Sequence, residues 1–160
     1  MDIDALMDAA RAAAEHSPNR RRKVGAVLVA ADGTTITGFN TFPQGVAALD
    51  ERCDGEARFI FMEHAERNAI YEAARRGIAL AGASLFCNLY PCLDCARGIV
   101  QSGIRRLFVP AVDYDDGTWG ASFRTSTIIL EEGRVEVIQV DGPAAADRDM
   151  ATPDMASTPG

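Results

Sequence analysis

His64, Glu66, Cys92 and Cys95 are the side chains whose types and spacing could do chemistry together. They stand in His64-Ala65-Glu66 and Pro91-Cys92-Leu93-Asp94-Cys95. One imidazole and two thiolates are good zinc ligands, and zinc favours four ligands in a tetrahedron. Three protein ligands leave the fourth position to water, which separates a catalytic zinc site from a structural one. Zinc also lowers the pKa of such a water towards neutrality. A carboxylate beside a ligand, but not needed as one, is placed to carry protons. Taken alone, C-x-x-C also fits a redox pair or half of a structural site. A structural site needs a fourth protein ligand, and the candidates are Cys53, Cys87 and His16. Cys87 ends the apolar run Ala83-Ser84-Leu85-Phe86-Cys87 and reads as a buried strand residue. The reading adopted is one catalytic zinc per chain on His64, Cys92 and Cys95, with Glu66 as the proton carrier.

These residues need elements to position them. Apolar spacing predicts an amphipathic helix over 3–15, ended by Ser17-Pro18. Strands are predicted over 24–30 and 35–39, joined by the turn Ala31-Asp32-Gly33-Thr34. Residues 40–57 read as a long irregular loop, of the kind that is usually functional or mobile. A helix is predicted from about Phe61 to Arg76 with Gly77 as its C-cap. Then follow a strand over 84–89, a helix over 92–102 closed by Gly103, a strand over 106–109, a helix over 123–132 and a strand over 135–140. The order implies an α/β fold, a three-layer α/β/α sandwich around a mixed sheet of about five strands. Residues 1–140 form the expected domain, and 141–160 read as a disordered tail. Cys92 and Cys95, at i and i+3, share one face at a helix start, where the thiolate is favoured. His64 and Glu66, two apart, point away from each other within a regular helix. They share one site only if it lies near the helix end.

Composition narrows the partners. The 160 residues suffice for one domain with a sizeable core. Hydrophobic content of 48% and charged content of 24% are those of a globular protein. A net charge of −7 argues against a polynucleotide substrate, which asks for a basic surface. A single nucleotide needs only a local cationic pocket. No apolar run is long enough for a membrane span, and the acidic start Met1-Asp2-Ile3-Asp4 has no signal-peptide core. Four cysteines, two assigned to metal, fit a reducing cytosol, so a cytoplasmic location is expected.

With these residues in hand, the chain resembles the cytidine and deoxycytidylate deaminase superfamily over about residues 24–140. H-x-E followed by P-C-x-x-C is the signature of zinc deaminases acting on nucleobases. Gly38-Phe39-Asn40-Thr41-Phe42-Pro43-Gln44-Gly45-Val46 is similar to the G-[YF]-N-x-x-P-x-G stretch of deoxycytidylate deaminases. His64-Ala65-Glu66-Arg67-Asn68-Ala69-Ile70 resembles their H-A-E-x-N-A-I, and Pro91 to Ile104 resembles their P-C-x-x-C-A-x-x-I-I-Q-S-G-I. The resemblance implies hydrolytic deamination, with Glu66 moving protons between water, ring nitrogen and leaving ammonia. It implies that Asn40 bonds the sugar and that the amides of Ala65 and Cys92 flank the ring. It also implies a homo-oligomer, a dimer or larger, to which the uncharged stretches 99–104 and 107–109 could contribute.

Two features depart from that pattern. The long loop carries no histidine for a second zinc. No phosphate clamp is evident: Arg20-Arg21-Arg22-Lys23 reads first as a solvated charge run, with Arg52, Arg58 and Arg124 as further candidates. Tyr114 and Trp119, in the loop from Asp113 to Gly120, are candidates to contact the substrate, whereas Phe123 reads as core. The favoured activity is deamination of a cytosine nucleotide, dCMP to dUMP. The alternatives are a free base, nucleoside or related heterocycle (guanine, cytosine, a triazine), or a non-catalytic zinc-stabilised nucleotide-binding protein. Glu66 speaks against the last, because a structural zinc has no use for an unliganded carboxylate. Metal analysis of gently purified protein is expected to return one zinc per chain. A value near two would overturn this assignment.

Overall fold

Apolar side chains at successive positions of β1, β3 and β4 require a sheet covered on both faces. The computed structural model, which describes residues 1–148, has that arrangement. Its elements are α1 (Ile3–Ala14), β1 (Gly25–Val29), β2 (Thr35–Phe39), a 3-10 turn (Asp50–Arg52), α2 (Ala57–Phe61), α3 (Ala65–Arg76), β3 (Ser84–Cys87), α4 (Leu93–Ser102), β4 (Arg106–Val109), α5 (Gly120–Glu132) and β5 (Glu136–Gln139). The five strands run in the order β2-β1-β3-β4-β5. β1 is antiparallel to both β2 and β3, and β3, β4 and β5 are mutually parallel. The expected α/β/α sandwich with a mixed five-stranded sheet is therefore what the chain forms.

The strand period of two divides the core into two layers. Val27, Phe86 and Phe108 face α1 and meet its Met7 and Ala10. The Phe86 and Phe108 rings stack with centroids 4.3 Å apart. Ala26, Leu28, Leu85, Cys87, Leu107 and Val109 face the other way, towards Ala65, Ala69 and Ala73 of α3, Ala96 and Ile99 of α4 and Phe123 and Leu130 of α5. Burying a Leu or Phe side chain contributes about 1.5–3 kcal/mol, so these layers fix which strand and helix ends coincide. Cys87 is a fully buried strand residue, as its apolar run implies.

Three expectations are corrected in detail. The helix expected to start near Phe61 is broken at Met62–His64. There Glu63 leaves helical geometry and pairs with Thr41 through two backbone hydrogen bonds of 2.8 and 3.1 Å. Ile99, Ile104, Leu107, Phe108 and Val109 are buried in the chain's own core, so their lack of charge needs no second subunit to explain it. Residues 141–148, expected to belong to the tail, return over the domain: the Ala145 amide donates to the Asn88 carbonyl at 2.7 Å. The remainder of that tail, 149–160, lies outside the described residues.

Close approach of α3 to β2 depends on Gly38. A Cβ there would collide with the Ala65 carbonyl oxygen and lie 2.9 Å from the Ala69 amide nitrogen. The Asn68 side chain fixes the same junction by donating to the Phe39 carbonyl at 2.8 Å. Gly38→Ala must therefore push the first turn of α3 away from the sheet. We expect a stability loss of about 1–3 kcal/mol, accompanied by a lower zinc content, because that turn follows His64 directly. Thermal unfolding and metal analysis check this, and wild-type values for both would refute it.

Candidate metal centre and active site

Two helix starts converge at the carboxyl end of β3. His64 is the N-cap of α3, in extended geometry at φ −78° and ψ 154°. Cys92 is the N-cap of α4, also extended, and Cys95 lies in its first turn. Neither cap side chain is spent on capping its own helix. Both are thereby free to point forward into the gap between the helices. His64 stands outside α3 and Glu66 inside its first turn, which is how residues two apart share one site.

His64 Nδ1 lies 3.4 Å from Cys92 Sγ and 3.5 Å from Cys95 Sγ. The three donor atoms all lie within 4.8 Å of one another. A tetrahedral zinc with bonds of about 2.05 Å to nitrogen and 2.3 Å to sulfur separates N from S by about 3.6 Å. The donor set thus fits zinc both in chemistry and in spacing. Cys53, Cys87 and His16 are not part of the cluster.

The site is electrostatically prepared for thiolate. The Cys92 thiol is lowered to about 4, first by a hydrogen bond from Cys95 and then, against the opposing effect of burial, by His64. Burial pushes Cys95 well above the ordinary thiol value. A bound zinc deprotonates such ligands outright. Arg67 supports the second thiolate: its Nη1 donates to Cys95 Sγ at 3.5 Å. Its Nε donates to Glu63 Oε1 at 2.6 Å, and the same carboxylate oxygen accepts the His64 amide at 3.1 Å. One Glu63–Arg67 ion pair therefore braces both the histidine and a cysteine. Burial raises Glu66 above the ordinary glutamate range, with the charge of His64 opposing it, so the carboxyl takes and holds a proton readily.

Glu66, His64 and Cys92 line one pocket. Val24, Met62, Leu89 and Phe123 give it apolar walls. The Trp119 ring stands edge-on to the His64 ring, with centroids 5.5 Å apart, and meets Phe59 at 5.7 Å. Trp119 thus lines the pocket. Tyr114 does not line it; its hydroxyl is turned to Thr127 Oγ1 at 2.8 Å, and Arg124 lies over its ring. Ala65 is wholly buried at the first position of α3, outside the pocket lining. Asn40 is in the pocket wall, but its Oδ1 accepts the Val24 amide at 2.9 Å and its Nδ2 donates to the Arg22 carbonyl at 2.8 Å. Those bonds hold the chain entering β1, leaving one N–H of the amide for a ligand.

Residues 20–23 read in sequence as one solvated run, and the structure separates its members. Arg20 pairs with Asp50 and Arg21 with Asp54 away from the pocket, whereas Arg22 lines it and is only 9% exposed. Arg22 Nη2 lies 2.8 Å from Asp116 Oδ2, and its Nη1 is buried without a hydrogen-bond partner. Arg58 also lines the pocket, and Arg52 instead stacks over Phe61. Nothing local in the sequence distinguishes Arg22 from Arg21. Only the turn imposed by Asn19, whose Oδ1 accepts the amides of both Arg21 and Arg22, decides which one faces inward.

Sandwich and site together define a protein with an open, three-donor zinc centre beside a buried carboxyl. The chain belongs to the cytidine and deoxycytidylate deaminase family: residues 1–111 match the family's zinc-binding region. It is 32% identical over 116 residues to an uncharacterized deaminase in the luxG 3' region of Aliivibrio fischeri, covering 72% of this chain and 77% of that protein. It is 34% identical over 112 residues to the deoxycytidylate deaminase of Schizosaccharomyces pombe, covering 64% of this chain and 34% of the yeast protein. The chain thus spans about a third of that relative's length. Among solved structures, the apo dCMP deaminase of the cyanophage S-TIM5 superposes with a TM-score of 0.69 at 28% identity, covering 86% of this chain and 96% of that one.

The Glu63–Arg67 brace yields a test of the metal centre that does not depend on turnover. Arg67→Met keeps the aliphatic stem and removes both the donor to Cys95 and the partner of Glu63. Supporting residues of this kind are worth about 10–100-fold in metal affinity. We expect zinc affinity to fall by about that factor in competition with a chelator. Unchanged affinity would show that the brace is dispensable.

Proposed function

We propose that the chain is a hydrolytic deaminase of a cytosine nucleotide, converting dCMP and water to dUMP and ammonia. The observation that carries this reading is the meeting, in one pocket, of a three-donor zinc centre, the buried carboxyl of Glu66 and the buried cation of Arg22. The cyanophage dCMP deaminase, solved also in complex with dCMP and dUMP, supports it from outside at 27% identity and a TM-score of 0.69. Zinc, when bound, supplies Lewis acidity that lowers the pKa of water.

The chain's own residues do the rest. Glu66, with its raised proton affinity, accepts a proton from water as the new carbon–oxygen bond forms. It delivers that proton to the ring nitrogen, then carries the proton of the new C–O–H group to the amine, so that the carbonyl forms as the carbon–nitrogen bond breaks and ammonia leaves. Val24, Leu89 and Phe123 exclude bulk water around the ring, which strengthens each polar contact inside. Trp119 closes the side next to His64. Asn40 offers its remaining N–H to the sugar. The phosphate lies at Arg22 and Arg58: Arg22 Nη1 is a buried donor without an acceptor, and a charge-assisted bond to phosphate would satisfy it.

The reading extends to a homo-oligomer, a dimer or larger, supported by the exposed apolar side chains Ile60 (74%) and Ile128 (56%). It includes a cytoplasmic location, supported by four cysteines that are all unpaired. Among the described residues, no helix is long and apolar enough to cross a membrane.

Ammonia release from dCMP, deoxycytidine, cytosine and guanine, measured side by side with zinc-loaded protein, tests the substrate. We expect kcat/KM for dCMP to exceed that for deoxycytidine by roughly 10²-fold, the worth of two charge-assisted hydrogen bonds. Glu66→Gln is the control, with a loss of at least about 10²–10⁴-fold at nearly unchanged zinc content. Equal rates on dCMP and deoxycytidine, or a preference for a free base, would move the protein to another substrate class.

A further inference from the structure

The chain after β5 turns back over the domain, reaches the pocket wall at Asp147 and is tied down at both ends. Arg11 Nη2 donates to the Asp141 carbonyl at 3.1 Å. Gly142, at φ +111°, makes the reversal in a conformation that side chains rarely adopt. The Ala145 amide is held by the Asn88 carbonyl, and the Arg148 amide donates to the Arg21 carbonyl. The Arg148 side chain then pairs with Glu15 Oε1 at 3.3 Å. Two of these anchors, Asn88 and Arg21, directly precede Leu89 and Arg22 of the pocket lining, and the other two, Arg11 and Glu15, lie on α1 and at its C-cap.

The segment brings a carboxylate with it. Asp147 lines the pocket together with Arg58 and Arg22. Among the carboxylates acting on Arg58 it has the largest effect, ahead of Asp54. Residues 144–147 also line a second pocket together with Arg22, Tyr90, Asp116 and Phe123. Arg22 and Asp147 line both spaces, so the strap and the buried cation share one wall. Yet the strap leaves Arg22 Nη1 without an acceptor. A segment that permanently roofed a buried guanidinium would be expected to satisfy it. The unfilled donor marks a place for an acceptor that the chain itself does not supply.

We propose that residues 141–148 form a strap over the pocket mouth and that Asp147 is a specificity-determining residue, competing with the anionic group of the substrate for Arg58 and Arg22. The proposal rests on the nucleotide reading above. Asp147 shares the pocket wall with both cations, so its negative charge opposes an anion that binds beside them. Its charge therefore weakens binding of anionic ligands and leaves neutral ones untouched. The strap lowers affinity for substrate and product alike.

Asp147→Asn tests this, because it keeps the shape of an exposed side chain and removes only its charge. An exposed charge pair typically corresponds to a few-fold effect. We expect KM for dCMP to fall about three- to fivefold with kcat unchanged, while KM for deoxycytidine stays at the wild-type value. The difference should shrink as salt is raised. Calorimetry with inorganic phosphate and with deoxyuridine provides a readout independent of turnover: phosphate should bind the variant about three- to fivefold tighter, deoxyuridine equally. Truncation after Gly142 should act in the same direction. Equal shifts for charged and neutral ligands, no shift in phosphate affinity, or no phosphate binding by either protein would overturn the proposal. Phosphate binding that responds to Asp147→Asn without turnover of dCMP would support it and overturn only the substrate reading.

Discussion

A zinc centre built from residues 28 and 31 positions apart requires two helices to begin at the same place. The remainder of the structure answers to that requirement. His64 and Cys92 each stand just before a helix, where the chain is extended and the side chain can point forward along the axis. The same ends carry unsatisfied amides and the positive pole of the helix dipole, which stabilise thiolate and carboxylate charge. If either helix started one residue later, its ligand would turn away from the gap. The break at Met62–His64 is thus the feature that lets His64 and Glu66 act on one point.

Asparagine side chains bonded to the backbone, together with one close helix–strand approach, register the two helix starts more finely than the apolar core does. Gly38 lets α3 lie directly on β2, and Asn68 ties the helix to the strand end. Asn88 does the equivalent for β3: its Oδ1 accepts the Gly25 amide at 2.9 Å, locking the strand that leads to Cys92 onto β1. Asn40 pins the chain entering β1 from the opposite side. The apolar layers bring these elements together, but they tolerate small sliding motions. Hydrogen bonds of fixed length and direction remove that freedom.

Charge is arranged locally against the global sign. A chain of net charge −7 repels a nucleotide at long range. Within the pocket, Arg22 is desolvated and paired on one side only, which makes its remaining donor strong. Asp116 orients that guanidinium without spending all of its donors. Such a site discriminates by contact rather than by attraction at a distance, and its selectivity is correspondingly less sensitive to salt than a surface field would be.

The metal-donor set, the order of strands and helices and the two-layered core were legible in the residues, because each rests on a short-range rule. Ligand type and spacing, the period of two along β1, β3 and β4, and glycines after α3 and α4 are properties of neighbouring positions. Arg67 was not legible as a support for Cys95, nor Arg22 as the one member of its run that enters the pocket. Tyr114 and Trp119 stood in the same loop with similar composition, yet the first turns to Thr127 and the second to His64. The return of 141–148 over the domain to the pocket wall was likewise invisible in a segment without periodicity. The sequence by itself determined which atoms could bind the metal and move a proton, since those are chemical properties of side chains. Only the tertiary structure decided which charged and aromatic side chains surround them. That choice depends on how distant segments pack, and no local pattern encodes it.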